Sequence, residues 1–227
     1  MPSSSPRILA GCPTAAPYAY CLEQWIAGVR ALTYTPLTLA AADNSETDAY
    51  AQTLASYGLR TLRYKAPSHT LARDKLVHSR NMLRNLVLDE GYDYFFSVEQ
   101  DIVPPPNTLQ LLLRHRQPVV SGVYYKYFTL QYKGADGKII AKKKAMPLLA
   151  HSAQDPKKMH FISAEEVEGD HFFPVRYCGL GCLLIHRSVL ERISFRVDQG
   201  SEGLAFDDVY FCNDALAAGF SLYVATA

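Results

Sequence analysis

Apolar residues recur along the chain in two alternating rhythms. Arg7–Cys12, Thr38–Ala42 and Leu59–Tyr64 are short apolar runs with the length of buried strands. Between the first two, Leu22, Trp25, Ile26, Val29 and Leu32 repeat at the spacing of one helix face. A second helix starting near Thr47 stops at Gly58, the residue favoured just past a helix C-terminus. Strand, helix, strand, helix, strand in this order predicts an α/β fold with a mostly parallel sheet and right-handed crossovers.

The longest helical segment runs from Leu71 to Glu90 and closes at Gly91. Leu76, Leu83 and Val87 share a face, and Arg80 lies on that face with them. A guanidinium there needs a partner, because an unpaired buried charge costs several kcal/mol. Two partners suit it: a structural carboxylate at the helix edge, or a phosphate or acid belonging to a site.

Next comes the segment that organises the chain, Tyr92–Pro106. Its aromatic and β-branched start reads as a buried strand, which delivers Glu99 and Asp101 and then meets three prolines. In open α/β sheets, ligands bind in the crevice outside the carboxyl ends of the strands. Asn107 begins a helix through Leu113, and Pro118–Tyr125 is the following strand. Lys126–Lys158 then carries eight lysines and no arginine. A turn at Ala135–Lys138, flanked by strands Thr129–Lys133 and Lys138–Ala141, makes it a polar hairpin excursion over one face of the sheet. Such a hairpin is either solvated and without a role, or a lid that attracts an anionic group.

Val175–Ile185 returns to β character, and Gly179 and Gly181 within it mark a bulge or a close backbone approach. Ser188 caps a short helix ending near Ile193. A glycine-rich polar loop from Asp198 leads into Asp207-Asp208 and a helix that ends at Gly219, followed by a strand Phe220–Val224. With no repeat, long linker or low-complexity tract, residues 1–227 read as one domain.

Bulk properties narrow the function. The 227 residues are 48% hydrophobic and 20% charged, enough for one sizeable core. A net charge of +1 gives no global electrostatic basis for a nucleic-acid partner. Fifteen tyrosines suit sugar recognition, since each couples a flat apolar face to a hydroxyl. Five scattered cysteines without zinc-ribbon spacing read as buried free thiols of a reducing compartment. No secretory signal and no apolar run long enough for a membrane span are present, so the expectation is a cytoplasmic protein. Walker-A, Gly-x-Gly-x-x-Gly, His-x-x-x-His and Gly-x-Ser-x-Gly patterns are all missing from the sequence.

Three constellations carry chemistry. Glu99 and Asp101 can turn toward a Mg²⁺ or Mn²⁺, which takes oxygen ligands and shares them with substrate phosphates. Asp207-Asp208 at a helix start is explained by capping and the helix dipole, or by a site in which one acid serves as general base. Asp43-Asn44-Ser45 is a turn and helix cap, or a crest that hydrogen-bonds a nucleobase or ribose.

Taken together these stretches resemble the GT-A fold glycosyltransferases, especially the family 2-like and Anp1-like branches. Pro13-Thr14 is similar to that fold's opening nucleotide-contact loop, and Asp43-Asn44-Ser45 to its base-contacting turn. Ser79-Arg80-Asn81 resembles the Ala-Arg-Asn signature, and Glu99-Gln100-Asp101 stands in the place of the Asp-x-Asp metal motif. Val120–Tyr124 resembles the strand that follows. Tyr177–Arg187 resembles the acceptor-side strand, and Phe206–Val209 the Glu-Asp signature that carries the base in inverting members. The resemblance spans about residues 7–224.

It implies a nucleotide-sugar donor site formed by Pro13, Thr14, Asp43, Arg80 and Gln100, with Thr14 and Asp43 contacting the nucleoside and Arg80 buttressing the site. It also implies a divalent cation on Asp101 with Glu99 in support, and a base at Asp208 beside Asp207. The acceptor, whether carbohydrate, lipid or protein, is left open. Glu99 departs from the family's first Asp, and the family's further His ligand would lie beyond Ala227. Two other readings compete. One is a non-catalytic sugar-nucleotide or glycan-binding domain on the same scaffold. The other is a nucleotidyltransferase, which would want a basic glycine-rich loop where Gly11–Pro17 has no Arg or Lys.

Overall fold

In the computed structural model, residues 5–133, 138–152, 159–198 and 206–226 are described. The first half alternates as the apolar rhythm predicts: β1 (Ile8–Thr14), α1 (Leu22–Arg30), β2 (Leu37–Asp43), α2 (Ala49–Ser56), β3 (Arg60–Arg63), α3 (Ala72–Asp89) and β4 (Tyr94–Val98). A 3-10 turn at Ala16–Cys21 leads into α1. Then follow α4 (Thr108–Leu113), β5 (Val119–Gly122), the hairpin β6 (Tyr125–Lys133) and β7 (Ile139–Pro147), β8 (Leu149–Ser152) and β9 (His160–Phe161). The last stretch holds β10 (His171–Val175), β11 (Tyr177–Cys178), β12 (Cys182–His186), α5 (Arg187–Arg192), α6 (Asp207–Ala217) and β13 (Leu222–Thr226).

Eight strands form one sheet in the order β10-β13-β5-β12-β4-β1-β2-β3. β3, β2, β1 and β4 are mutually parallel, β5 and β13 run the same way, and β12 and β10 run against them. β1 is buried along its whole length. Alternation of side chains across a strand sends Leu9 into one core with Leu83, Val87 and Phe95. Ile8, Ala10 and Cys12 go into the opposite core with Trp25, Ile26 and Phe96. Each large apolar side chain so covered contributes about 1.5–3 kcal/mol.

Pro13 does not end β1. Pairing with β4 stops at Gly11, so beyond it β1 has only β2 beside it, and an open strand side tolerates the missing N–H.

Three sequence expectations change. Val175–Ile185 is not one strand: β11 belongs to a small sheet with β8 and β9, while β12 enters the main sheet between β4 and β5. The break lies at the glycines, where an added Cβ would sit 1.8 Å (Gly179) and 3.1 Å (Gly181) from the Tyr124 hydroxyl oxygen. The lysine-rich excursion is longer as a hairpin and shorter as an excursion, because Leu148, Leu149 and Ala150 are buried. Of the turn expected at Ala135–Lys138, all but Lys138 lies outside the described residues. Finally, β10 is an edge strand that apolar alternation does not announce, and Pro174 is accommodated there. All five cysteines are free and buried.

Candidate active site

β2 and β3 lie to one side of β1 and β4 lies to the other, which makes the β1–β4 boundary a switch point in the sheet. A cavity of about 760 Å³ opens at the carboxyl ends of these strands. Pro13 and Thr14 from the end of β1, Asn44–Thr47 after β2, and Glu99–Asp101 after β4 line it. Arg73, Lys75 and Leu76 from the start of α3, Tyr18 and Phe206 complete the wall. Acids and bases therefore face one space. Burial first, then the charges of Asp101 and Glu99, push the Tyr18 phenol above its ordinary pKa.

Beneath the cavity, α3 inserts Arg80, which is 1% exposed. Its Nε donates to Asp207 Oδ2 at 2.6 Å, Nη1 to Ser97 Oγ at 3.1 Å and Nη2 to Glu99 Oε1 at 3.0 Å. The Ser97 hydroxyl donates onward to Leu180 O at 2.7 Å. Burial alone would lower the guanidinium's pKa, but the Asp207 and Glu99 carboxylates more than offset it and hold Arg80 charged. Of the partners that the sequence left open, carboxylates are the ones present, Glu99 at the cavity and buried Asp207, and Arg80 clamps the β4 end to the start of α6. It does not line the cavity but lies under its Glu99 edge, where a residue that buttresses the donor site is expected.

Gln100 is turned into the protein and 4% exposed. Its Oε1 accepts from the Thr14 hydroxyl, and its Nε2 donates to Tyr18 O and to the Tyr50 hydroxyl, each at 2.8 Å. These bonds brace the cavity floor and leave the amide spent. Asp43 is buried behind the floor: Oδ1 accepts from the Ser45 amide at 2.9 Å and from the Ser45 hydroxyl. Oδ2 lies 3.5 Å from Arg63 Nε and has no hydrogen bond. The Ser45 hydroxyl in turn accepts from Ala16 N at 2.7 Å, so the turns after β1 and β2 are tied together.

Asp207 and Asp208 open α6 and point to different partners. Asp207 is buried against Arg80; Asp208 accepts from the Tyr177 hydroxyl at 2.7 Å and from Val209 N at 2.7 Å. Burial, with the charges of Asp207 and Glu99, outweighs those two hydrogen bonds and pushes the Asp208 carboxyl up to about 6. Burial and the Asp208 charge drive the Tyr177 phenol far above its ordinary pKa, so it remains a hydrogen-bond donor.

Among the described residues no group of three or more His, Cys, Asp or Glu is arranged to hold a metal. Glu99 and Asp101 border the cavity and are the residues that could hold a Mg²⁺ or Mn²⁺, which takes one or two carboxylates supplemented by water and phosphate oxygens. Asp101 is exposed, and the Glu99 side chain is 37% exposed with one oxygen on Arg80. The sequence reading gave no part to Arg73, Lys75 and Tyr50, and it named Phe206 and Tyr177 only as the first residues of longer stretches. The first two were open to it, as a basic pair in the first turn of the helix that leads to β4.

No family model and no curated protein matches the sequence. Solved structures do match the fold. Mannosyltransferase PcManGT from Pyrobaculum calidifontis, in complex with GDP-Man and Mn²⁺, aligns with a TM-score of 0.57 at 14% identity, over 99% of this chain and 58% of its own. S. aureus TarS aligns with a TM-score of 0.56 at 12% identity, over 97% of this chain and 35% of its own. A shorter TarS chain in complex with UDP-GlcNAc gives 0.56 at 13% identity, with 55% of its length covered. The present chain thus spans between about a third and three fifths of those chains. Its fold is the GT-A-like α/β fold of these glycosyltransferases. Among the described residues no helix is long and apolar enough to cross a membrane.

Proposed function

We propose that the chain is a metal-dependent glycosyltransferase that moves a sugar, of hexose type, from a nucleotide-sugar donor to an acceptor hydroxyl. One observation carries this reading: buried Arg80 bridges Glu99, which follows β4, to Asp207, the first of the two acids that open α6. That bridge ties the candidate metal-binding edge of the cavity to the start of the helix that carries the candidate base, Asp208, and a transfer reaction needs both at once. GDP-Man and UDP-GlcNAc, named in the neighbours' complexes, motivate the choice of donor.

Asp101, with Glu99 in support, would hold the divalent cation. When bound, the cation supplies charge neutralisation for a diphosphate leaving group. Arg73 and Lys75 border the same cavity and add positive charge to it. Pro13 and Thr14 form the floor under the nucleoside. The turn after β2 offers Asn44 and Ser45, which line the cavity, while Asp43, buried behind the floor, holds that turn through Ser45. Gln100 and Arg80 position these groups rather than touch the donor. In an inverting transfer Asp208 takes the acceptor proton; Tyr177 and the Val209 amide orient its carboxylate.

Donor hydrolysis tests the assignment. Asp101→Ala should lose metal-dependent hydrolysis by roughly 100-fold or more, the scale of removing a main electrostatic contact. Equal metal-dependent rates in the variant and the wild type would remove Asp101 from the site.

A further inference from the structure

The proposed reaction leaves the β6–β7 hairpin without a task. Among the described residues its two arms pair only with each other. Directly opposed residues share a face, so the register divides the ribbon into two sides. Phe128, Leu130 and Met146 stand on one side and are half-buried. Phe128 packs there on Phe161, with ring centroids 5.2 Å apart. Lys126, on the same side, places its Nζ 5.9 Å from the ring centroid of Phe206, which lines the cavity. This side rests on the protein, and its root stands at the cavity wall.

The other side is open. Tyr125, Tyr127, Thr129, Gln131, Lys133 and Lys143 stand on it and are all exposed. Tyr125 and Tyr127 are 50% and 75% exposed and about 7 Å apart along the strand. Their cross-strand partners, Pro147 and Ala145, carry no long side chain to cover the rings. A flat apolar face joined to a hydroxyl is what a sugar ring packs against. Thr129 and Gln131 continue the same line with a hydroxyl and an amide, which both donate and accept hydrogen bonds as sugar hydroxyls do.

Charge decides the kind of sugar chain. The described part of the hairpin holds six of the chain's ten lysines and no acid, although the whole chain carries only +1. We infer that the open face of this hairpin is a docking surface for an anionic carbohydrate chain. A nucleic-acid strand brings one charge per about 3.4 Å, roughly eight along an arm of this length, against the two lysines on the open face. A sugar chain charged only at intervals matches that spacing better. An acidic peptide would be held by the lysines alone, since carboxylate side chains have no ring to lie on the two tyrosines. That this carbohydrate is the acceptor rests on the glycosyl-transfer reading; the binding itself does not.

Equilibrium binding of the whole chain to dextran sulfate, unsubstituted dextran, poly-glutamate and oligo-thymidylate tests it, at about 0.15 M salt and without nucleotide or Mn²⁺. Dextran sulfate should bind more tightly than the other three. Lys133→Gln/Lys143→Gln should weaken that binding roughly tenfold, as each exposed ion pair contributes up to about fivefold. Tyr125→Ser/Tyr127→Ser should weaken it on the order of tenfold as well and leave poly-glutamate binding unchanged. Lys142→Gln/Lys144→Gln removes the same charge from the side of Phe128 and Leu130. It should cost no more than about twofold, since charges beyond a Debye length of about 8 Å are screened. Nucleotide-induced thermal shifts should be unchanged in all three variants, so failure here and failure at the cavity are separate results. Equal binding of dextran and dextran sulfate, or equal losses from both lysine pairs, would overturn the inference, as would wild-type binding by the tyrosine variant. Tighter binding of poly-glutamate would replace the sugar chain by an acidic polypeptide, and tighter binding of oligo-thymidylate would replace it by a nucleic acid.

Discussion

Arg80 shows what one residue does when a buried cation is shared among acids from distant parts of the chain. It joins Glu99 and Asp207, so removing it strands two carboxylates, one of them buried. Arg80→Met should destabilise the protein by about 3–5 kcal/mol, read from the shift of the urea midpoint. Arg80→Lys should recover little, because one ammonium cannot reproduce the three-way fork. Asp208 makes the opposite prediction. Its folded pKa of about 6 lies above the ordinary carboxylate value, so the folded state holds the proton more tightly. Stability is therefore full below the unfolded pKa and is lost as pH rises through about 6. Asp208→Asn should raise stability at pH near 7 by about 1 kcal/mol, after allowing for the amide's poorer acceptance from Val209, and change little near pH 4. The same substitution should abolish transfer while leaving donor binding nearly intact. Wild-type kcat/KM should rise with pH through an inflection near 6. A stabilised variant with full transfer would remove Asp208 as the base. Arg80 was legible in the sequence as a cation on a core face, because helical periodicity is local. Its partner was not, because Asp207 lies 127 residues away and only the fold brings them together.

At the scale of elements, the periodic segments were the legible ones. The helix read as Leu71–Glu90 is α3 at Ala72–Asp89, because eighteen residues of consistent pattern outweigh any single ambiguous end. Short strands were harder. β11 and β12 look continuous in sequence, yet they serve different sheets, since an apolar run carries no record of which neighbour it will pair with. The glycines did carry a signal: both mark where Tyr124 packs on the backbone. Gly179→Ala should therefore cost about 1–3 kcal/mol, as overpacking does, and lower the thermal midpoint. Its new Cβ would meet Leu148 Cδ2 at 2.4 Å as well as the Tyr124 hydroxyl. An unchanged midpoint would mean that Tyr124 is free to move aside. β10 left no such trace, because an edge strand half open to solvent need not alternate.

At the scale of the molecule, the sheet explains why the candidate site stands where it does. The order β4-β1-β2 places three loop ends around one opening, and the longest helix delivers Arg73 and Lys75 to its rim. The carboxyl ends of these strands were legible as the place for a site from strand order and acidic positions. The buried floor was less so: Gln100 and Thr14 line the cavity, but the hydrogen bond between them joins residues far apart in the chain, which no local pattern records. The account's central claim is that this cavity takes a nucleotide with a divalent cation, and a thermal-shift panel of nucleoside diphosphates and nucleotide sugars with and without Mn²⁺ tests it most directly. At least one nucleotide should raise the midpoint, by an amount equivalent to about 2.7 kcal/mol at a hundredfold excess over its Kd. That rise should depend on Mn²⁺ and vanish in Asp101→Ala. A panel in which no nucleotide moves the midpoint with Mn²⁺ present would contradict the account.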